Sequence, residues 1–254
     1  MILAILQARL SSRRLPGKVL KPLLGRPMIL RQIERLQRAE KIDELVVATS
    51  VEVSDDPIEA LCVEHNINCF RGSLDDVLDR YYQATKVWNP KYIVRLTADC
   101  PLADPSVIDD VISFYMDGDY DYASNALPPT FPDGLDIEVF KFSCLEQAWQ
   151  EARLSSEREH ATPYIYNNPL KFKLGNYEHS SDLSYFRWTV DEPEDFEFVT
   201  KVYEKLYPEN PGFSMNDVLT LINKQPALIE INNMYARNEG YQKSLDEDSE
   251  LYPI

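Results

Sequence analysis

The stretch Met1 to Lys18, MILAILQARLSSRRLPGK, decides how the chain is read. Its apolar start, Met1 to Leu6, has the length of a short buried strand, and a segment with helical periodicity follows the polar part. The loop from Gln7 to Lys18 therefore falls at the carboxyl end of a first strand, where open α/β sheets bind their ligands. Between Gln7 and Arg38 the chain carries nine Lys or Arg and one acid, Glu34, whereas all 254 residues together have a formal charge of -16. A basic island sits at the mouth of the expected sheet.

Arg9, Arg13, Arg14 and Lys18 offer guanidinium forks and an ammonium to an anion with several oxygens. Ser11, Ser12 and Gly17 let backbone N–H groups approach it closely. A polyphosphate fits these donors best. The loop is not a Walker A sequence, because only Gly17 precedes the lysine and Val19 stands where Ser or Thr would meet magnesium. As a bare charge pattern it also reads as a solvated basic turn.

Outward from this loop, Pro27 to Ala39 has the apolar spacing of a helix with one buried face, and Glu44 to Thr49 is a β-branched strand. Ile58 to His65 reads as a helix, Ile67 to Phe70 as a strand, and Leu74 to Val87 as a helix capped by Ser73. Tyr92 to Leu96 is the next strand and runs into Thr97-Ala98-Asp99-Cys100-Pro101, so Asp99 projects toward the same edge as the basic loop. Asp104 starts another helix, and Asp121 to Ser124 and Gly134 to Phe140 read as strands around a proline-rich loop. Ser143 to Ala152 is a helix, and Ser155 opens one that ends near Asn167. Leu170 to Leu174 and Tyr185 to Val190 alternate as strands do, and the second delivers Asp191 ahead of helices at Phe196 to Leu206 and Met215 to Asn223. Strands alternating with helices imply a mixed, mostly parallel sheet flanked by helices. One domain is expected over residues 1–237, followed by a polar, acidic tail at 238–254 that is loosely held or packs on a partner.

Composition narrows the function classes. No run approaches the ~20 apolar residues that cross a bilayer, so no membrane partner is expected and the chain reads as cytoplasmic. The acidic balance argues against general nucleic-acid binding, since the net field repels phosphate backbones. Cys62, Cys69, Cys100 and Cys144 lack any CxxC pairing and read as reduced core or site-lining thiols.

Taken together, QARLSSRRLPGKVL, RLTADCPLADPSVIDDVI, DGLDIEVF, SEREHATPY and WTVDEPEDFEFV resemble the cytidylyltransferase family that includes CMP-sialic acid and CMP-Kdo synthetases. Within it they look most like the branch named after the spore-coat polysaccharide protein SpsF. The resemblance implies a Rossmann-like nucleotidyltransferase (GT-A-like) fold, a homodimer, and transfer of CMP from CTP to an acidic sugar with release of pyrophosphate. It gives Arg9, Arg13 and Lys18 to the triphosphate, with Ala8 and Arg9 near the cytidine, and Asp99 and Asp191 to Mg2+. Arg95, beside Asp99, is counted with the nucleotide-binding residues or else as an ion-pair partner. Gly134, Asp136, Arg158 and His160 fall where the family meets its acceptor, and an arginine there suits a carboxylate.

Other readings remain open from the residues alone. Asp99 and Asp191 also suit turn and helix caps, His160 a structural histidine, and Arg14 a solvent-facing side chain. A transferase acting on a sugar 1-phosphate with another nucleoside triphosphate would use the same two-part site. A glycosyltransferase would use Asp119-Tyr120-Asp121 as its metal-binding triplet, and a basic loop that binds RNA would leave both aspartates without a role.

Overall fold

A computed structural model describes residues 1–12 and 14–251. The apolar start forms β1 (Ile2–Gln7), which pairs in parallel with β4 (Glu44–Ser50) on one side and β6 (Tyr92–Thr97) on the other. A central strand is covered on both faces, which explains why Leu3, Ala4, Ile5 and Leu6 are all apolar and fully buried. Leu3 and Ile5 enter one core and Ala4 and Leu6 the other, as the two-residue repeat of a strand requires.

Between β1 and β4 the chain makes a two-strand ribbon, β2 (Pro22–Leu23) and β3 (Arg26–Pro27), and then α1 (Met28–Leu36). The units α2 (Asp56–Glu64), β5 (Asn68–Gly72) and α3 (Val77–Trp88) complete the parallel half. After β6 come α4 (Pro105–Asp117), β7 (Tyr122–Ser124), β8 (Glu138–Lys141), α5 (Phe142–Glu151), α6 (Ser155–His160), α7 (Pro163–Tyr166) and β9 (Leu174–Asn176). The helices α8 (Pro193–Leu206), α9 (Met215–Lys224) and α10 (Glu239–Leu251) close the described chain. The seven-stranded sheet has the order β5-β4-β1-β6-β8-β7-β9, and β8 alone runs against the others. The carboxyl ends of β1, β4, β5, β6 and β7 thus share one edge with the start of β8.

Three local departures from the sequence reading have physical causes. The helix expected from Leu74 begins at Val77, because Asp76 rather than Ser73 accepts the Asp79 N–H as its cap, at 2.9 Å. The helix expected from Ser155 to Asn167 breaks into α6 and α7 at Ala161, whose φ is 68°, just ahead of Pro163. Tyr185 to Val190 is no sheet strand; its alternation serves a single bridge between Asp133 and Arg187, and Trp188 is buried against the core.

Candidate active site

The basic loop is fixed from both ends. The Ala8 N–H donates to the Ala48 carbonyl at 3.0 Å, extending the sheet by one residue. The Leu10 N–H donates to Asp55 Oδ1 at 2.8 Å, while Asp55 Oδ2 accepts from Ser50 Oγ at 2.5 Å and Thr49 Oγ1 at 3.1 Å. Burial raises the Asp55 pKa, but these donors outweigh it and hold the carboxyl below its ordinary value. Gly17, at φ 68°, turns the loop back so that its N–H reaches the Leu10 carbonyl at 3.1 Å, and Leu15 is buried beneath. Ser12 Oγ accepts from the Leu15 N–H at 3.3 Å, and Ser11 is exposed. Arg13 lies outside the described residues.

This fold-back drives Lys18 inward. Its ammonium donates to Asp99 Oδ2 at 2.9 Å, to Asp191 Oδ1 at 2.8 Å and to the Val190 carbonyl at 2.8 Å. Two carboxylates far apart in sequence therefore share one buried cation. Burial opposes both charges, yet the pairing wins: the lysine pKa is raised and the Asp99 carboxyl is held well below the usual carboxylate range. Backbone docking sets the pair, since the Val190 N–H donates to the Asp99 carbonyl at 2.7 Å. Asp191 stands just before the cap of α8, which is Glu192.

Arg14 joins the same cluster, with Nη2 2.9 Å from Asp191 Oδ2 and Nε 3.4 Å from Glu192. Behind them lies Arg187, which donates to both oxygens of the fully buried Asp195, at 2.8 and 2.9 Å. Asp195 also accepts the Asp191 and Glu192 N–H groups at 2.9 Å each, so Arg187 and Asp195 orient the carboxylate that meets Lys18. Neither was singled out in the sequence. Asp195 reads there as one more acid at a helix start, and Arg187 as the polar half of an alternation.

Gly134, Asp136 and their neighbours line the adjoining wall. The Trp188 N–H donates to the Asp133 carbonyl at 2.6 Å, and a Cβ on Gly134, at φ 107°, would lie 2.6 Å from the Thr189 nitrogen. Only glycine allows this approach. Asp136 pairs with Arg237, and burial and the Asp136 charge push the Asp133 carboxyl up to about 7. Arg95 on β6 pairs with Glu138 directly across on β8 rather than with Asp99.

His160 closes the α6 end. Its Nε2 lies 3.0 Å from Ser244 Oγ, and burial, with the charges of Arg95 and Arg9, holds its pKa below the ordinary value. Arg158 is turned to Asp76 and to the Trp149 carbonyl, at 2.9 Å, and so ties α6 to the start of α3. A residue missed in the sequence lies beside them. Arg80 is fully buried on α3, donates one N–H to the Ser73 carbonyl at 2.6 Å, and leaves Nε and Nη2 without partners among the described residues. The half-buried Arg9 lies near enough for its charge to lower the Arg80 pKa, after the larger effect of burial. An arginine within an otherwise apolar helix face was the available signal.

The arrangement combines a basic loop, a carboxylate pair able to hold one cation, and the buried Arg80 with Arg9 near it. Among the described residues no cluster of three or more His, Cys, Asp or Glu forms a metal cage. Asp99 and Asp191, which share the Lys18 ammonium, are the carboxylate pair that could hold a hard divalent cation. The triplet Asp119-Tyr120-Asp121 lies at the opposite edge of the sheet, where Asp121 pairs with Lys141 at 2.7 Å. No described helix is long and apolar enough to cross a membrane.

This fold and this edge define a nucleotidyltransferase with a Rossmann-like sheet. The model of the cytidylyltransferase family matches residues 3–243, and the chain belongs to that family. It is 35% identical over 234 residues to the spore coat polysaccharide biosynthesis protein SpsF of Bacillus subtilis, covering 89% of this chain and 95% of that one. It is also 36% identical to an uncharacterised protein of Methanocaldococcus jannaschii, over 95% of this chain and 98% of that protein. Among solved structures, a cytidylyltransferase from Leptospira borgpetersenii superposes with a TM-score of 0.87 at 34% identity, over 92% of this chain and 99% of that one. CMP:2-keto-3-deoxy-manno-octonic acid synthetase complexed with CTP shares the fold, with a TM-score of 0.62 at 17% identity over 80% of this chain and 98% of its own.

Proposed function

We propose that this protein is a magnesium-dependent cytidylyltransferase that transfers CMP from CTP to an acidic sugar, releases pyrophosphate, and serves surface polysaccharide or glycan synthesis. The observation that carries the reading is the Lys18 ammonium held between Asp99 and Asp191 at the end of the basic loop. A lysine so placed can exchange a carboxylate for a phosphate oxygen, and Arg9, Arg13 and Arg14 add cations along the same loop. Asp99 and Asp191 would hold the metal, which when bound offsets charge on the phosphates. The protein's own contribution is then positioning and fixed charge around an in-line attack by an acceptor hydroxyl on the α-phosphorus.

An anionic ligand is supported by Arg80, whose buried Nε and Nη2 have no partner among the described residues and whose neighbour is Arg9 of the basic loop. Relatives include the 3-deoxy-manno-octulosonate cytidylyltransferase of Sodalis glossinidius, 26% identical over 85% of this chain and 90% of that protein. Asp136 and His160 would meet the sugar, with Gly134 letting the wall approach. Arg158 would act on this side through the placement of α6. The test is pyrophosphate release from CTP and magnesium against a panel of sugars. Turnover with ulosonic or nonulosonic acids alone supports the reading, and turnover with sugar 1-phosphates overturns it.

A further inference from the structure

The residues that follow the core helices run back across the site. Asn232 Nδ2 donates to Asp195 Oδ1 at 2.8 Å, and the Ala236 carbonyl accepts from Arg187 at 3.0 Å. Arg237 pairs with Asp136 and donates to the Phe131 carbonyl at 3.2 Å. Glu239 meets Arg14 of the phosphate loop at 3.4 Å, and Ser244 meets His160 at 3.0 Å. Asp248 accepts the Ser155 and Ser156 N–H groups at 3.0 and 3.1 Å, holding α10 against the start of α6. One segment thus touches the triphosphate end and the acceptor end together.

We propose that the segment from Tyr235 through α10 is a strap that a nucleoside triphosphate loosens by drawing Arg14 away from Glu239, which uncovers Asp136 and His160 for the acceptor. The proposal rests on the functional reading above. Arg14 divides its charge among Asp191, Glu192 and Glu239, and of these Glu239 has the most exposed side chain, at 45%. A polyphosphate arriving on the loop competes for this guanidinium and repels the Glu239 carboxylate, so the link that gives is the one to the strap. Before that, polar atoms of Asp136 and His160 are taken by Arg237 and Ser244. An acceptor that came first would have to displace both. Nucleotide therefore binds before the sugar.

Hydrogen exchange on the full chain tests this without an acceptor. With CTP and magnesium, amides in residues 8–18 slow while those in 239–251 exchange about fivefold faster, the scale set by losing one exposed ion pair. CMP and magnesium leave 239–251 unchanged. Glu239→Gln, which keeps an oxygen for the Ala236 N–H, exchanges fast in α10 without nucleotide and gains no more with CTP. Slowing at 8–18 with α10 unchanged or protected overturns the strap and leaves the functional reading standing. Loosening by CMP equal to that by CTP also overturns it. No change anywhere in the chain overturns both.

Discussion

Lys18 is a buried ammonium whose charge serves two partners at once, so its removal has two separable consequences. Lys18→Ala should weaken CTP binding by about 10- to 100-fold, the worth of one or two charge-assisted hydrogen bonds, and CMP binding by less than about threefold. Titration calorimetry with both nucleotides reads the difference, and equal losses would place the lysine away from the β- and γ-phosphates. Asp99→Ala should abolish turnover, falling at least about 1,000-fold, with an unchanged circular-dichroism spectrum; near-normal rates would remove it from the metal. Asp55 acts on the loop rather than on the ligand. Its depressed pKa means that its stabilisation is present above the unfolded value near 4 and is lost as pH falls through the folded one. Urea midpoints should therefore drop as the pH is lowered below about 4 in the wild type and less in Asp55→Asn, and parallel curves would contradict the assignment. At this scale the convergence of Lys18, Asp99 and Asp191 was legible from their charges and from β6, which ends just before Asp99, although the segment ahead of Asp191 makes only a single bridge. Arg187 and Asp195 were not, because they act on another side chain and leave no periodicity or motif. Adjacent arginines rarely face one ligand, which points Arg14 to solvent in the sequence reading, whereas in the fold Arg14 pairs with Asp191.

Among the elements, the pairing of β6 with β8 carries a largely buried ion pair, Arg95 and Glu138, in direct register, with side chains 15% and 13% exposed. Removing one partner of such a pair costs about 3–5 kcal/mol, whereas replacing both with apolar residues of similar volume can be neutral. Glu138→Ala should lower the unfolding free energy by that amount and Arg95→Met with Glu138→Leu by less than about 1 kcal/mol. Equal destabilisation in denaturant melts would show that each charge acts alone. The central parallel strands were readable because both faces are covered and their sequences hold continuous apolar runs, as at residues 45–48. The segment Tyr185 to Val190 misled because burial of Phe186, Trp188 and Val190 mimics the two-residue repeat without a neighbouring strand. The helix break at Ala161 had only Pro163 as its signal, since a positive φ at alanine leaves no residue signature of its own.

Across the whole molecule, the long-range contacts that assemble the site join residues 81 and 172 positions apart, from Lys18 to Asp99 and to Val190. Strand order explains how motif and geometry agree: the central place of β1 between β4 and β6 puts the basic loop beside Asp99. The contacts of α10 depend on single side chains and could not be read from the chain's acidic end. The central claim is that this edge is a magnesium-dependent CTP site. Calorimetric titration with CTP, UTP, GTP and ATP, each with magnesium and with chelator, tests it most directly. The account predicts that CTP with magnesium binds at least about tenfold more tightly than any other triphosphate or than CTP with chelator, a gap of about 1.4 kcal/mol. Equal affinity for all four, or CTP affinity indifferent to the metal, would contradict it.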